Sequence, residues 1–353
     1  MSRSKRVLIP SLLIAAGMVL LASCSGPASN TSPTSTPQDV ATSLNAAGND
    51  AQTVATGLSG SPGLGAIGGL PTMASLLSGG ALPTGTYVWD PTSYTWLDGT
   101  IAPTYDLRLQ WAFTTYDSTG TPTGTHTAVA QIHWISSINA GSQELPTDAT
   151  VALTVDGNPM GQISAKATWQ NTSCGTIAEP ATVSVTGTLG TSGKELKVNA
   201  LTLSIPAGSG TLSTTGDVTA TAASKTMTLK WNASVDGATV RDPTTCMLSN
   251  FVPTKGSLSF GLTGPSNAIS LAFDFSNVQL TNYGLTSAAV SNGSLTINNA
   301  LAASFQGTLD DSNHDGSLGN NVIITFKGGT QESLEQFIQS PAFTTFDLKP
   351  FGQ

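Results

Sequence analysis

Charge is the scarcest commodity in this chain. Only 10% of its 353 residues are Asp, Glu, Lys or Arg, against about 25% in an average soluble protein. The few cations do not gather into a patch that could replace phosphate counterions, and the net charge is −8. A nucleic-acid partner is therefore excluded. There are three histidines, His126, His133 and His314. His126 and His133 lie seven apart, an odd spacing that puts them on opposite faces of an unbroken strand, so they cannot share a metal. The chain has no GxSxG, no HExxH, no P-loop and no GxGxxG following a strand, so the common hydrolase, metalloprotease and nucleotide-binding signatures are missing. The adjacent acids Asp310 and Asp311 are no glycosidase pair without a cleft to hold them. No short internal repeat stands out, which disfavours propellers and solenoids. Three cysteines, Cys24, Cys174 and Cys246, and 6% aromatics complete the short supply.

What is present begins with a targeting segment. Arg3, Lys5 and Arg6 form a basic start, and Val7 to Leu21 is an apolar run interrupted by Pro10. That run is too short for a confident membrane span and reads as an export signal. It ends in Leu21-Ala22-Ser23-Cys24, which resembles the lipobox of bacterial lipoproteins. The resemblance implies cleavage before Cys24, acylation of its thiol and new amine, and anchorage to a membrane of the cell envelope. Ser25 rather than Asp follows the cysteine, which by the same family's rule implies export to the outer membrane. Several acyl chains make such an anchor stable. Loss of the first 23 residues leaves 10 basic and 21 acidic residues, a net charge of −11.

Four segments follow from composition: a signal peptide over 1–23, a lipidated Cys24 and Ser/Thr/Pro-rich tether over 24–36, a helical and Gly-rich stretch over 37–84, and a β domain over 85–353. Thr36-Pro37-Gln38-Asp39 is a helix start with a hydroxyl cap, proline at the first position and an early acid. Val40, Leu44, Ala47, Ala51, Val54 and Leu58 then form one apolar stripe, predicting a helix that ends near Gly57. Ser59 to Leu70 reads as Gly-rich loop, and Pro71 to Leu77 as a short second helix.

From Gly85 the apolar period changes to two. Leu107-Leu109-Trp111-Phe113, Met227-Leu229-Trp231-Ala233-Val235 and Leu271-Phe273-Phe275 are examples, each interleaved with Thr, Ser, Asn or Lys. This is the pattern of antiparallel strands with one wet face. A dozen or more strands are expected, with turns at Ser118-Thr119-Gly120, Asp156-Gly157-Asn158, Ser192-Gly193, Asp236-Gly237 and Asn292-Gly293. The fold class is all-β, as a large antiparallel sandwich or a curved half-barrel with a helix across its mouth. A transmembrane barrel is disfavoured, because aromatics do not recur at both ends of each strand. Thr330 is placed to cap a C-terminal helix over Gln331 to Gln339.

Three candidate sites remain. Cys174 and Cys246 both follow a Trp-bearing strand, and an exported chain with two spare thiols pairs them as a disulfide. Asp311-Ser312-Asn313-His314-Asp315-Gly316 can aim Asp311, Asn313 and Asp315 at one Ca²⁺ and resembles the first half of an EF-hand loop, although Val322 stands where that loop needs its bidentate Glu. A plain polar turn uses the same residue types. Finally, eight of the 22 aromatics fall within 30 residues, among them Trp89, Tyr94 and Trp96. Exposed, they could stack on a ligand such as a sugar ring; buried, they are the first layer of a core. No catalytic residue is assigned. The sequence points to an envelope protein with a structural or interaction role, alternatively to a carrier sheltering acyl chains on a curved sheet, and more remotely to an envelope hydrolase or carbohydrate-binding protein.

Overall fold

The computed structural model describes residues 32–71, 81–99, 105–117, 119–141, 143–171, 178–242, 246, 248–281, 284–312 and 319–342. Helix α1 (Pro37–Leu58) opens the fold. The Thr36 side chain accepts from the Asp39 amide, and the Asp39 carboxylate accepts from the Thr36 amide, so the two residues satisfy each other's free groups. Helix α2 (Pro62–Gly68) follows at once. This corrects the sequence reading, which placed a loop there and a helix after Pro71; residues 72–80 lie outside the described residues. Glycine is a poor helix former, but here it is what packing requires. A Cβ on Gly65 would press on the Phe113 ring, and one on Gly63 would crowd Met160 and Gly190. Close approach to the sheet overrides local propensity.

Among the described residues the rest is a single sheet of sixteen strands: β1 (Gly85–Asp90), β2 (Thr95–Asp98), β3 (Leu107–Tyr116), β4 (Pro122–Ala140), β5 (Gln143–Val155), β6 (Asn158–Asn171), β7 (Ala178–Thr191), β8 (Lys194–Ser204), β9 (Ser209–Ala222), β10 (Lys225–Arg241), β11 (Leu248–Thr263), β12 (Ala268–Thr281), β13 (Gly284–Ile297), β14 (Ala300–Asp310), β15 (Asn321–Thr325) and β16 (Gln331–Ser333), in the order β16-β15-β14-β13-β12-β11-β10-β9-β8-β7-β6-β5-β4-β3-β1-β2. From β3 (Leu107–Tyr116) to β16 (Gln331–Ser333) each strand pairs with the next in sequence. The sheet is curved and does not close. It is one layer, so the sandwich alternative does not apply. It is also mixed rather than wholly antiparallel, because β1 (Gly85–Asp90) runs parallel to β3. Its two edges are short: β2 (Thr95–Asp98) and the three-residue β16, which limits edge-to-edge association.

Two expected turns are not turns. Asp236-Gly237 sits inside β10 (Lys225–Arg241) and Asn292-Gly293 inside β13 (Gly284–Ile297), each at a register shift. The extra residue of a bulge uses the same Asn/Asp-Gly chemistry as a hairpin turn. At the C-terminus, Gln331–Ser333 pairs with β15 (Asn321–Thr325), and the helix α3 (Leu334–Gln339) begins three residues later than expected, capped by Ser333.

The two faces of the sheet differ in chemistry. One carries cross-strand ion pairs between register partners: Lys166–Asp148, Lys230–Asp217 and Lys255–Asp236. The other carries the alternating apolar residues. Helices α1 and α2 lie on the apolar face at one end, beside the β5–β6, β7–β8, β9–β10, β11–β12 and β13–β14 turns. Val40, Leu44 and Ala47 pack with Ile269, Leu295, Ala303 and Phe326. Val54 and Leu58 meet Ala222 and Met227, and Ala66 joins Leu153, Val155, Met160 and Leu189.

Candidate functional site

Away from those helices the apolar face continues with no second layer among the described residues. Val185, Leu201, Trp231, Phe260, Phe273 and Phe275 are half-buried and belong to none of the three buried clusters. They occupy neighbouring positions: Leu201 faces Val185 and Gly216, Trp231 faces Gly216 and Phe260, Phe260 faces Leu271, and Phe273 faces Leu258. The cations at the two ends of β10 are already taken. Lys225 Nζ is 2.7 Å from the carboxylate of Asp50 on α1, and Arg241 pairs with Glu179 at the start of β7 (Ala178–Thr191). Burial pushes the Asp50 carboxyl up, but its hydrogen bonds to Lys225 and to the Ser266 hydroxyl and amide outweigh that and hold it below the usual value. The chemistry available between these two pairs is apolar contact over a wide surface.

A second cluster lies beside α2. His126 Nδ1 is 2.7 Å from Asp156 Oδ2, and its Nε2 is 3.1 Å from Thr115 Oγ1. The backbone amide of Thr127 also donates to Asp156; that bond and the imidazole lower the carboxyl's pKa. This order of hydroxyl, imidazole and carboxylate resembles a nucleophilic triad. Thr115 is only 3% exposed, however, and its hydroxyl lies 2.8 Å from that of Thr123. No substrate reaches an oxygen so enclosed. His133 and Asp106 repeat the pair at 2.7 Å, with the Trp134 amide on the same carboxylate. Both pairs bind a strand to a neighbouring loop. As expected from their spacing, the two histidines go to separate partners.

At the end of the sheet away from α1, the short β8–β9 loop is bridged from both sides. Gln170 donates to the Ile205 carbonyl at 2.8 Å, and Arg241 donates to the Ala207 carbonyl at 3.1 Å while pairing with Glu179. Cys246 is buried beside this cluster, and its carbonyl accepts from Arg241 at 3.3 Å. Cys174 lies outside the described residues.

The aromatic trio is brought together in the β1–β2 hairpin, but edge to face. Trp89 meets Trp96 at 5.3 Å and 63°, and Tyr94 at 6.4 Å and 75°. Trp96 is buried and Trp89 half-buried, with only Tyr94 standing in solvent at 76% exposure. Trp111 and Phe113 are core. Of the proposed calcium ligands, Asp311 is described; Asn313 and Asp315 lie outside the described residues, as does Cys24. Among the described residues no three His, Cys, Asp or Glu side chains converge as a metal site, and no helix is long and apolar enough to cross a membrane.

Sequence reasoning found the apolar positions of the face but not that the described helices lie over one end of it alone. The signal was available: one 22-residue stripe, about 33 Å of helix, is far too little to cover a dozen apolar strand faces. Compared with protein-family models, curated proteins and solved structures, the chain matches none.

Proposed function

We propose that this protein is a lipid-anchored component of the cell envelope, carried to the outer membrane by its lipobox signal, whose apolar sheet face takes up the acyl chains of an amphiphile. The reading is one of binding rather than catalysis. The observation that carries it is the apolar stretch of β7 to β12, bounded by two ion pairs, over which no described residue forms a second layer. Contiguous apolar surface of this kind marks an interaction site in an exported protein. Helices α1 and α2 lie over one end of the face, and Gln170 and Arg241 hold the β8–β9 loop at the other.

A Cys174–Cys246 bridge fits the same design. Cys246 is buried, and the Arg241–Glu179 pair joins the start of β7 to the end of β10 beside it. A calcium ion held by Asp311, Asn313 and Asp315 would tie β14 (Ala300–Asp310) to β15 in a structural role.

The test is mild extraction of the anchored full chain, followed by mass spectrometry of the lipids that remain bound after exhaustive washing. Stoichiometric acyl lipid is expected. Lipid at no more than the level on an unrelated lipoprotein extracted in parallel would overturn the carrier reading and favour a purely structural one.

A further inference from the structure

We infer that segment 343–353 of this same chain docks on the apolar face over β12 to β14 and gives way when an amphiphile binds there. The docking stands by itself; the exchange with an amphiphile rests on the acyl-binding reading above.

The chain is delivered to this face by its own fold. Helix α3 lays Phe337 against Phe326, with ring centres 5.5 Å apart. The Ser340 amide then donates to the Phe337 carbonyl at 3.3 Å and ends the helix. Ala342, the last described residue before the segment, packs on the cluster that α1 forms with the sheet. Its carbonyl accepts from Asn45 Nδ2 of α1 at 2.7 Å. Leu271 and Phe305 border the same cluster. From there the rings continue down the strands: Phe273 is 5.9 Å from Phe305 and 6.4 Å from Phe275. Phe343 therefore follows a residue already fixed at the head of an aromatic path.

The composition of the segment suits that path. Phe343, Phe346, Leu348 and Phe351 recur at spacings of 3, 2 and 3, and Pro350 interrupts the run. The spacing matches neither the strand period nor the helical one, so no regular element gathers these side chains on a face of their own. Asp347 and Lys349 cancel in charge, which leaves carbon as the main thing the segment offers a partner. Phenylalanine rings pack edge to face on other rings at about 4.5–7 Å, and Phe273, Phe275 and Phe305 supply such partners.

Reach and tethering favour this occupant over a free one. Eleven residues, 343 to 353, span up to about 36 Å when extended. Ile269, beneath α1, lies six residues from Phe275 on β12, or about 20 Å of strand. The segment can therefore lay all four apolar side chains along this stretch. Held at Ala342, it meets the face at an effective concentration of about a millimolar. An acyl chain must compete with it for the same rings, so the segment sets how readily the face loads.

The experiment installs p-benzoylphenylalanine in place of Phe346 in the full-length anchored protein, irradiates it in membrane vesicles, and maps cross-links by peptide mass spectrometry. Intramolecular cross-links to β12, β13 or β14 are expected. Deletion of 343–353 should raise the signal of a dye for exposed apolar surface about fivefold. A synthetic peptide of 343–353 at about a millimolar should bring that signal down again, and the same peptide with its phenylalanines changed to serine should not; a misfolded variant would not be rescued in this selective way. Cross-links confined to other strands or to another molecule, a dye signal unmoved by the deletion, or no recovery with the peptide would overturn the docking. Acyl lipid retained after washing separates the two readings: the deletion variant should hold about twice that of the wild type by mass action. Equal retention in both would overturn the exchange. Cross-links as expected with no acyl lipid on either protein would overturn the acyl-binding reading and leave the docking in place.

Discussion

The Asp50–Lys225 pair offers a quantitative test of how helix α1 is held on the sheet. Asp50 is 2% exposed, and its carboxylate takes the Lys225 ammonium at 2.7 Å and the Ser266 amide at 2.9 Å. It therefore ties α1 to the β9–β10 and β11–β12 turns together. Truncating one partner of a buried pair costs about 3–5 kcal/mol when the other charge is left stranded. Lys225 is 36% exposed along its side chain, so solvent screening places Lys225→Met below that range, at about 2–3 kcal/mol. Asp50→Asn is different. Its amide oxygen still accepts from Ser266, and the released ammonium turns to water, so the cost should be about 1 kcal/mol. The pH dependence follows from the lowered carboxyl. A depressed acid stabilises fully above its unfolded value of about 3.9 and loses that contribution as the pH falls through the folded value. In Lys225→Met the stranded carboxylate becomes neutral in acid, so the gap between this variant and the wild type should narrow below about pH 4. Urea unfolding followed by circular dichroism at pH 7 and pH 3 measures all of this. An Asp50→Asn loss equal to or larger than that of Lys225→Met at pH 7, or a gap that is the same at both pH values, would refute the argument. Loosening α1 also uncovers the Val54, Leu58, Ala222 and Met227 cluster, so dye binding to exposed apolar surface should rise in Lys225→Met.

Three further outcomes are expected. Cys24→Ser should leave a precursor that is neither cleaved at this position nor lipid-modified, seen as a mass shift; wild-type protein in the soluble fraction with an unmodified Cys24 would contradict the anchor. Cys174 and Cys246 should resist thiol reagents until the protein is unfolded and reduced, and loss of the bridge, which closes a 73-residue loop, should cost about 4 kcal/mol by chain entropy; rapid native-state labelling of both would refute it. Calcium at a hundredfold excess over its Kd should stabilise by about 2.7 kcal/mol, and Asp315→Ala should abolish that shift; identical melting curves in chelator and in millimolar calcium would leave the loop a polar turn.

Much of the architecture was written in local pattern. The stripe from Val40 to Leu58 and the Thr36–Asp39 reciprocal cap specify α1 without reference to anything distant, because a helix satisfies its hydrogen bonds within itself. Period-two alternation specified strands and their apolar side, because side-chain direction along a strand is fixed by the pleat. Charge poverty, the lipobox-like run ending in Cys24 and the shortage of histidine were equally plain in the sequence.

What the tertiary structure alone decided concerns partners far apart in sequence. Asp236-Gly237 and Asn292-Gly293 carry the same residues whether the chain reverses or bulges, and only the strand opposite chooses between them. The glycines of α2 look like loop until Phe113 and Met160 come close enough to require them. Trp231 and Gly216 are fifteen positions apart with nothing local to link them, yet one ring lies over the other because β9 and β10 pair in that register. Whether the apolar side of so many strands meets a second layer or stays open is likewise no property of any strand. It depends on how much apolar surface the rest of the chain can supply, and among the described residues the two N-terminal helices lie over one end of this sheet and not over its broad middle.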